Sequence, residues 1–176
     1  FPGVSIYDIS SGIDKAVLVK DMKISHTGSN GNLAEPEGVK IAPNGTTVYM
    51  TLQESNELGW FSINNPPDIL EDKVTFTNPE HEPDGIWVNS DGSLICTAGE
   101  YDGTIGVHQL DSSGKPSSQS YIRMADDLPS NWDWDDKRKG IEPEEVVIAE
   151  AGGKVFVLTT LQDAGAVVVY DITDPN

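Results

Sequence analysis

The chain has 176 residues, of which 37% are hydrophobic, with 17 glycines and 11 prolines. This predicts one turn-rich β domain with a real core rather than a helical protein. Eleven lysines and arginines stand against 29 aspartates and glutamates, giving a net charge of −18. Such a surface repels a nucleic-acid backbone, so we expect no nucleic-acid partner. The sequence contains no run of about 18 apolar residues, which is the length that a membrane-spanning helix needs.

The first predicted elements lie at the N-terminus. Residues 3–10 match residues 166–173, which predicts that they form the third strand of a repeating unit. Residues 15–22 are then predicted to form its fourth strand. The chain starts without Met and inside a predicted strand. We therefore expect a processed protein or a piece of a longer one.

An acid, a proline and a second acid recur three times, each time before an apolar strand. The sites start at Glu35, Glu82 and Glu142, which are 47 and 60 residues apart. Each is followed by a short strand, a tight turn, a more apolar strand, a polar turn and a third strand; a fourth strand follows twice. Asn-Gly at 44–45 and Asp-Gly at 91–92 are strong hairpin signals.

Four antiparallel strands about every 45 residues are typical of a β-propeller blade. A β-sandwich is the alternative, but it gives no reason for an in-phase repeat. The predicted fold is therefore all-β, a propeller of four-stranded antiparallel blades with about three blades present. The predicted segments are 1–24 (the end of one blade), 25–78 (a blade), 79–125 (a blade) and 126–176 (a loop plus an incomplete blade).

Thirteen predicted strands are too few for a closed ring of four to eight blades. An unclosed propeller would leave apolar strands as bare edges, which favour aggregation. We therefore expect further propeller blades, from the rest of the protein or from a partner chain, to cover both ends.

Two features outside the strand pattern also stand out. Cys96 is the single cysteine and lies in an apolar run, which indicates a buried, inert thiol and excludes an internal disulfide. The third repeat is longer because of a loop near 125–140, which carries Trp132 and Trp134. That loop is either an acidic surface loop pinned by the tryptophans or a functional loop.

The acidic pairs are candidate metal ligands. The first strand of each propeller blade lines the central channel, so equivalent acids from three blades would meet at one mouth. Converging carboxylates repel one another unless a cation lies between them, and Ca²⁺ accepts irregular oxygen geometry. The alternative is purely architectural, because proline suits the first residue of a strand and a following glycine permits a bulge. The candidate ligands are Glu35, Glu37, Glu82, Asp84, Glu142 and Glu144.

Other chemistry is weakly indicated. The three histidines, His26, His81 and His108, are scattered, which argues against zinc. His81 adjoins Glu82 and could join a site, but we expect it to be a polar surface residue. No hydrolase, phosphate-loop or paired-cysteine motif occurs.

One glycosylation sequon is present. Asn44 begins an Asn-Gly-Thr sequence at a predicted hairpin tip. An exposed asparagine there would accept a glycan if the source is a eukaryote.

Several motifs together resemble a known family. They are Pro-Glu-Gly at 36–38, Thr-Leu-Gln at 51–53, and Tyr-Asp-Ile at 170–172 with Asp-Pro at 174–175. In this pattern the chain resembles the choice-of-anchor I domain family, which includes mesenchyme-specific cell surface glycoproteins and alkaline phosphatase-like proteins. The resemblance implies a secreted or cell-surface propeller of about seven blades, of which this chain is roughly half. Glu145 replaces the glycine expected in the third repeat.

Two functions remain open. The first is an extracellular acidic propeller that acts as a binding or matrix protein and holds calcium, glycans or other proteins. The alternative is a calcium-dependent hydrolase of phosphoesters or lactones, in which the metal polarises the substrate or activates a water. A general base beside the metal would distinguish them. No motif assigns one, so we favour the binding protein.

Overall fold

The structure is a computed structural model that describes residues 2–24, 31–129 and 141–174. Within these ranges the chain forms 14 β-strands and two short 3-10 helices at 13–15 and 124–126, with no α-helix. No helix in these ranges is long and apolar enough to cross a membrane. The strands are β1 (Gly3–Asp8), β2 (Val17–Ile24), β3 (Pro36–Ile41), β4 (Thr47–Leu52), β5 (Glu57–Ser62), β6 (Ile69–Leu70), β7 (Lys73–Thr75), β8 (Pro83–Val88), β9 (Leu94–Gly99), β10 (Thr104–Leu110), β11 (Pro116–Arg123), β12 (Pro143–Ala151), β13 (Lys154–Leu161) and β14 (Ala166–Asp171).

The strands form four sheets in chain order. The second sheet (β3-β4-β5-β7) and the third (β8-β9-β10-β11) are complete four-stranded antiparallel blades, and the last (β12-β13-β14) has three strands. Glycine-containing turns join the first and second strands of the last three sheets, as the repeat predicts. The prediction of an all-β propeller with four-stranded blades is confirmed.

The first sheet departs from the predicted count of thirteen strands. It pairs β1 with β2 and adds β6, a two-residue strand that runs parallel to β2. The N–H of Lys23 also donates to the carbonyl of Asp68 at 2.9 Å. The extra strand thus covers part of an edge of β2 that would otherwise present unpaired backbone groups.

The first strands of the last three sheets lie side by side and are called here the inner strands: β3 contacts β8, and β8 contacts β12. Each inner strand pairs with the second strand of its sheet, and it has one extra residue between its proline and the residue three positions later. This repeated bulge bends the start of every inner strand. The predicted architectural role of the acid-proline-acid motif is therefore present in all three repeats.

Glycine at the bulge permits the close approach of neighbouring inner strands. A Cβ at Gly38 would lie 2.6 Å from the carbonyl oxygen of Asp84, and one at Gly85 would lie 2.4 Å from that of Glu144. Glu145 takes this position in the last sheet and is exposed there, so its side chain meets no such neighbour among the described residues.

Three hydrophobic clusters fill the spaces between successive sheets. Cys96 is fully buried in the cluster between the third and last sheets, as predicted, and burial raises the pKa of its thiol to about 12. Apolar side chains remain exposed on β2 of the first sheet and β14 of the last sheet, including Val17, Val19, Val167 and Val169. That further blades cover these surfaces stays a prediction.

Candidate functional site

The first acid of each repeat has a backbone role. Its carbonyl oxygen accepts a hydrogen bond from the N–H that begins the polar turn between the second and third strands of the same sheet. Two of these acids also adopt left-handed backbone conformations, with φ of 43° at Glu82 and 47° at Glu142. The motif thus fixes how the chain passes into each inner strand. The three bonds are Gln53 N to Glu35 O (2.7 Å), Glu100 N to Glu82 O (3.2 Å) and Gln162 N to Glu142 O (2.9 Å).

The side chains of these first acids differ in environment. Glu35 is exposed, Glu82 is half-buried and Glu142 is buried. The amide of Gln162 donates to the Glu142 carboxylate at 3.0 Å. Among the described residues, no group of three or more His, Cys, Asp or Glu side chains is arranged to hold a metal ion. The structure does not bring the first acids together as a ligand set.

The second acids of the three repeats do interact. The Asp84 carboxyl group on β8 is hydrogen-bonded to that of Glu144 on β12. The negative charges of Glu144, of Glu37 on β3, and of Glu100 lie close enough to Asp84 to affect its pKa. We call Glu37, Asp84 and Glu144 the channel acids, because each is the second residue of an inner strand. Burial, then the bond to Glu144, then the surrounding negative charge raise the pKa of Asp84 to about 7.

A hydrogen bond between two carboxyl groups requires a proton on one of them. Burial and the neighbouring negative charges therefore favour the protonated form of Asp84 near neutral pH, beside the carboxyl group of Glu144. Such a pair can accept a proton at one oxygen and donate one at another. A bound Ca²⁺ would need both groups deprotonated, and the described residues offer no ready set of donors for it. Calcium binding stays a prediction.

Sequence reasoning overlooked a second feature of the inner strands. The ammonium of Lys40 on β3 lies 3.0 Å from the centroid of the Trp87 ring on β8. The two residues occupy equivalent positions in successive repeats, three places after Glu37 and Asp84. The equivalent positions of Lys40 and Trp87 can be seen when the repeats are aligned. Only the side-by-side packing of the inner strands, however, brings the Lys40 ammonium to the Trp87 ring.

The expectation that His81 is a polar surface residue is wrong. Its side chain is fully buried, and its ring nitrogens contact the hydroxyls of Thr104 and Thr97, each at 2.9 Å. His108 is also fully buried, and neither of its ring nitrogens has a hydrogen-bond partner among the described residues. Burial, with a smaller contribution from His81, lowers the pKa of His108 to about 3. His26 lies outside the described residues.

The sequon lies where the sequence placed it. Asn44 is exposed at the turn between β3 and β4, and its side-chain oxygen accepts bonds from the N–H groups of Thr46 (2.8 Å) and Thr47 (2.9 Å). Its glycosylation stays a prediction. The tryptophans of the long loop, Trp132 and Trp134, lie outside the described residues.

Comparison with known proteins gives one curated relative and many solved structures of similar fold. No protein-family model matches the chain. A 6-phosphogluconolactonase from Serratia proteamaculans is 28% identical over 113 residues, covering 64% of this chain and 34% of that protein.

Solved structures extend the fold comparison. A putative 6-phosphogluconolactonase from Bacteroides fragilis has a TM-score of 0.58 at 15% identity and covers 95% of this chain and 50% of its own. The β-propeller domain of Swd1 from Myceliophteria thermophila has a TM-score of 0.55 at 12% identity, with coverages of 96% and 45%. These likenesses establish the propeller fold. The chain spans about a third of the curated relative and about half of these structures.

The comparisons correct the expected function. The curated relative carries the name of a lactone hydrolase, and further structural matches include a periplasmic gluconolactonase from Pseudomonas aeruginosa, with a TM-score of 0.54 at 11% identity and coverages of 95% and 49%. The expectation of an extracellular binding or matrix protein is therefore wrong, and the findings favour the hydrolase alternative. The resemblance to choice-of-anchor I domains and the cell-surface location stay predictions.

Proposed function

We propose that this chain supplies the propeller blades that carry the proton-transfer groups of a sugar lactone hydrolase. The observation that carries the proposal is the contact between the carboxyl groups of Asp84 and Glu144, at a partly buried point where inner strands meet and where the pKa of Asp84 is raised to about 7. The relationship to a 6-phosphogluconolactonase supports lactones as the substrate class.

Lactone hydrolysis needs two proton transfers. A water oxygen attacks the carbonyl carbon and must lose a proton, and the ring oxygen must gain one when the C–O bond breaks. A carboxyl pair that holds one proton can perform both steps, since its ionised member accepts the proton of water and its protonated member donates to the ring oxygen. The sum of the two steps is addition of one water across the ester bond.

The surroundings of Asp84 suit this role. General acid–base groups work best when their pKa lies near the working pH, and the pKa of Asp84 is about 7. The charges of Glu37 and Glu100 contribute to the raised pKa of Asp84. Gln53 donates its side-chain amide to the Glu100 carboxylate, which fixes that carboxylate beside the pair.

The test is an assay of the complete protein on glucono-δ-lactone and 6-phosphogluconolactone, with the spontaneous reaction subtracted. We expect Asp84→Asn and Glu144→Gln each to lower kcat by about 10²- to 10⁴-fold, the usual contribution of acid–base catalysis. The wild-type rate should change with pH near pH 7 because the pKa of Asp84 is about 7.

Glu54→Gln is the matched control. Glu54 is an exposed acid in the turn between β4 and β5, so its loss changes the net charge equally without touching the pair. Lactone hydrolysis that survives in both Asp84→Asn and Glu144→Gln at the wild-type rate would contradict the proposal.

A further inference from the structure

A second site lies further along the inner strands from the channel acids. A cavity of about 530 Å³ is bounded by residues of β3, β8 and β12, among them Lys40, Trp87 and Glu150. This volume is within the range of about 300–1,000 Å³ that is usual for small-molecule pockets. The proposed proton-transfer chemistry does not use it.

Lys40 is an unusual cation in this acidic chain. Lys20, Lys73 and Lys154 form ion pairs with carboxylates. Within the part of the chain that the structure describes, Lys40 forms neither an ion pair nor a hydrogen bond, and its ammonium is held over the ring of Trp87. The ring attracts the cation through its face, but the ammonium keeps N–H donors for a ligand.

Glu150, which lines the same cavity, accepts its hydrogen bonds from Ser90. Both carboxylate oxygens of Glu150 accept hydrogen bonds from Ser90, one from the backbone N–H at 3.0 Å and one from the hydroxyl at 2.7 Å. This ties Glu150 to the turn after β8. Glu150 forms no ion pair with Lys40 among the described residues, so the Lys40 ammonium can contact an anionic ligand.

The spacing relates this cavity to the channel acids. Lys40 and Trp87 each follow a channel acid by three positions, which is roughly 10 Å along a strand. Side chains three positions apart normally point to opposite faces, but the extra residue of the bulge shifts that alternation by one. Both sites can therefore face one channel, at a separation that suits the two ends of a phosphorylated six-carbon sugar.

We infer that Lys40, positioned by Trp87, binds the phosphate group of a phosphorylated sugar lactone while the lactone ring lies at the channel acids. The inference rests on the proposed function for the identity of the ring. Lysine is a well-established phosphate ligand that acts as a point charge. The subsite would give the protein a preference for phosphorylated over plain sugar lactones.

Calorimetric binding to the complete protein tests the inference without requiring catalysis. The probes are 6-phosphogluconate, gluconate and inorganic phosphate. We expect 6-phosphogluconate to bind more tightly than gluconate by about 10- to 100-fold, the effect of one hydrogen bond to a charged group. Lys40→Met should remove this preference, Lys40→Arg should keep part of it, and Trp87→Leu should weaken it. Phosphate alone should bind weakly.

Lys115→Met is the matched control, because Lys115 is exposed in the turn between β10 and β11 and its loss gives the same charge change. Melting temperatures verify that each variant folds. Equal affinity for the two sugar acids, or a preference that survives in folded Lys40→Met, would overturn the inference even if lactones are hydrolysed. A Lys40-dependent preference in a protein without lactonase activity would sustain the phosphate subsite and refute the proposed function.

Discussion

Replacement of His108 by leucine tests the unpaired buried histidine between the two complete blades. Its ring packs edge-on against Phe76, with ring centroids 4.9 Å apart, and lies beside His81, which in turn lies 3.7 Å from the Asp102 carboxylate. Within the described part of the chain both ring nitrogens of His108 lack hydrogen-bond partners, so an apolar side chain of similar size leaves no buried polar group unsatisfied there. We expect His108→Leu to be at least as stable as the wild type at pH 7.5.

The larger effect appears in acid. The pKa of His108 is about 3 in the folded protein against an ordinary 6.5, so the unfolded chain binds a proton between these values that the folded chain does not. Stability is therefore lost as the pH falls below 6.5. At pH 5 the loss from this residue is about 2 kcal/mol, from 1.36 kcal/mol per pH unit over 1.5 units. His108→Leu removes that loss.

Urea unfolding of the complete protein at pH 7.5 and pH 5 measures the difference. The wild type should lose about 2 kcal/mol more than His108→Leu between the two pH values, since the other titrating groups are common to both. His81→Leu is the comparison variant and should be less stable at pH 7.5, because it leaves the hydroxyls of Thr97 and Thr104 without the ring nitrogens. An equal loss in the wild type and in His108→Leu would refute the reasoning.

Three further predictions concern packing, the thiol and calcium. Gly85→Ala should destabilise the protein by about 1–3 kcal/mol, because its Cβ would meet the backbone of the next inner strand. Gly45→Asn is the control, because a Cβ at Gly45 would have no atom within 4 Å. Equal melting temperatures for the two variants would contradict the packing argument. Cys96 should react with a thiol reagent at pH 8 only after unfolding, because it is fully buried with a pKa of about 12; rapid modification of the native protein would exclude this. If Ca²⁺ binds at the channel acids, it must displace the proton of Asp84, whose pKa is about 7. The rise in melting temperature should therefore be larger at pH 8 than at pH 6, and no rise at either pH would oppose the calcium prediction.

The sequence alone determined the blades. Strand alternation and turn glycines act over a few residues, so the repeat at Glu35, Glu82 and Glu142 was enough to predict hairpins, inner strands and the propeller. The position of Cys96 was also predictable, since an apolar run in a central strand is buried on both faces.

Only the tertiary structure decided which side chains meet. The bulge after each proline shifts the alternation by one residue, and two of the first acids turn with positive φ. As a result the interacting carboxyl groups are Asp84 and Glu144, with Glu37 nearby, rather than the first acids. The contact of Lys40 with Trp87 joins different blades. Such contacts depend on how neighbouring inner strands pack, which no local sequence pattern encodes.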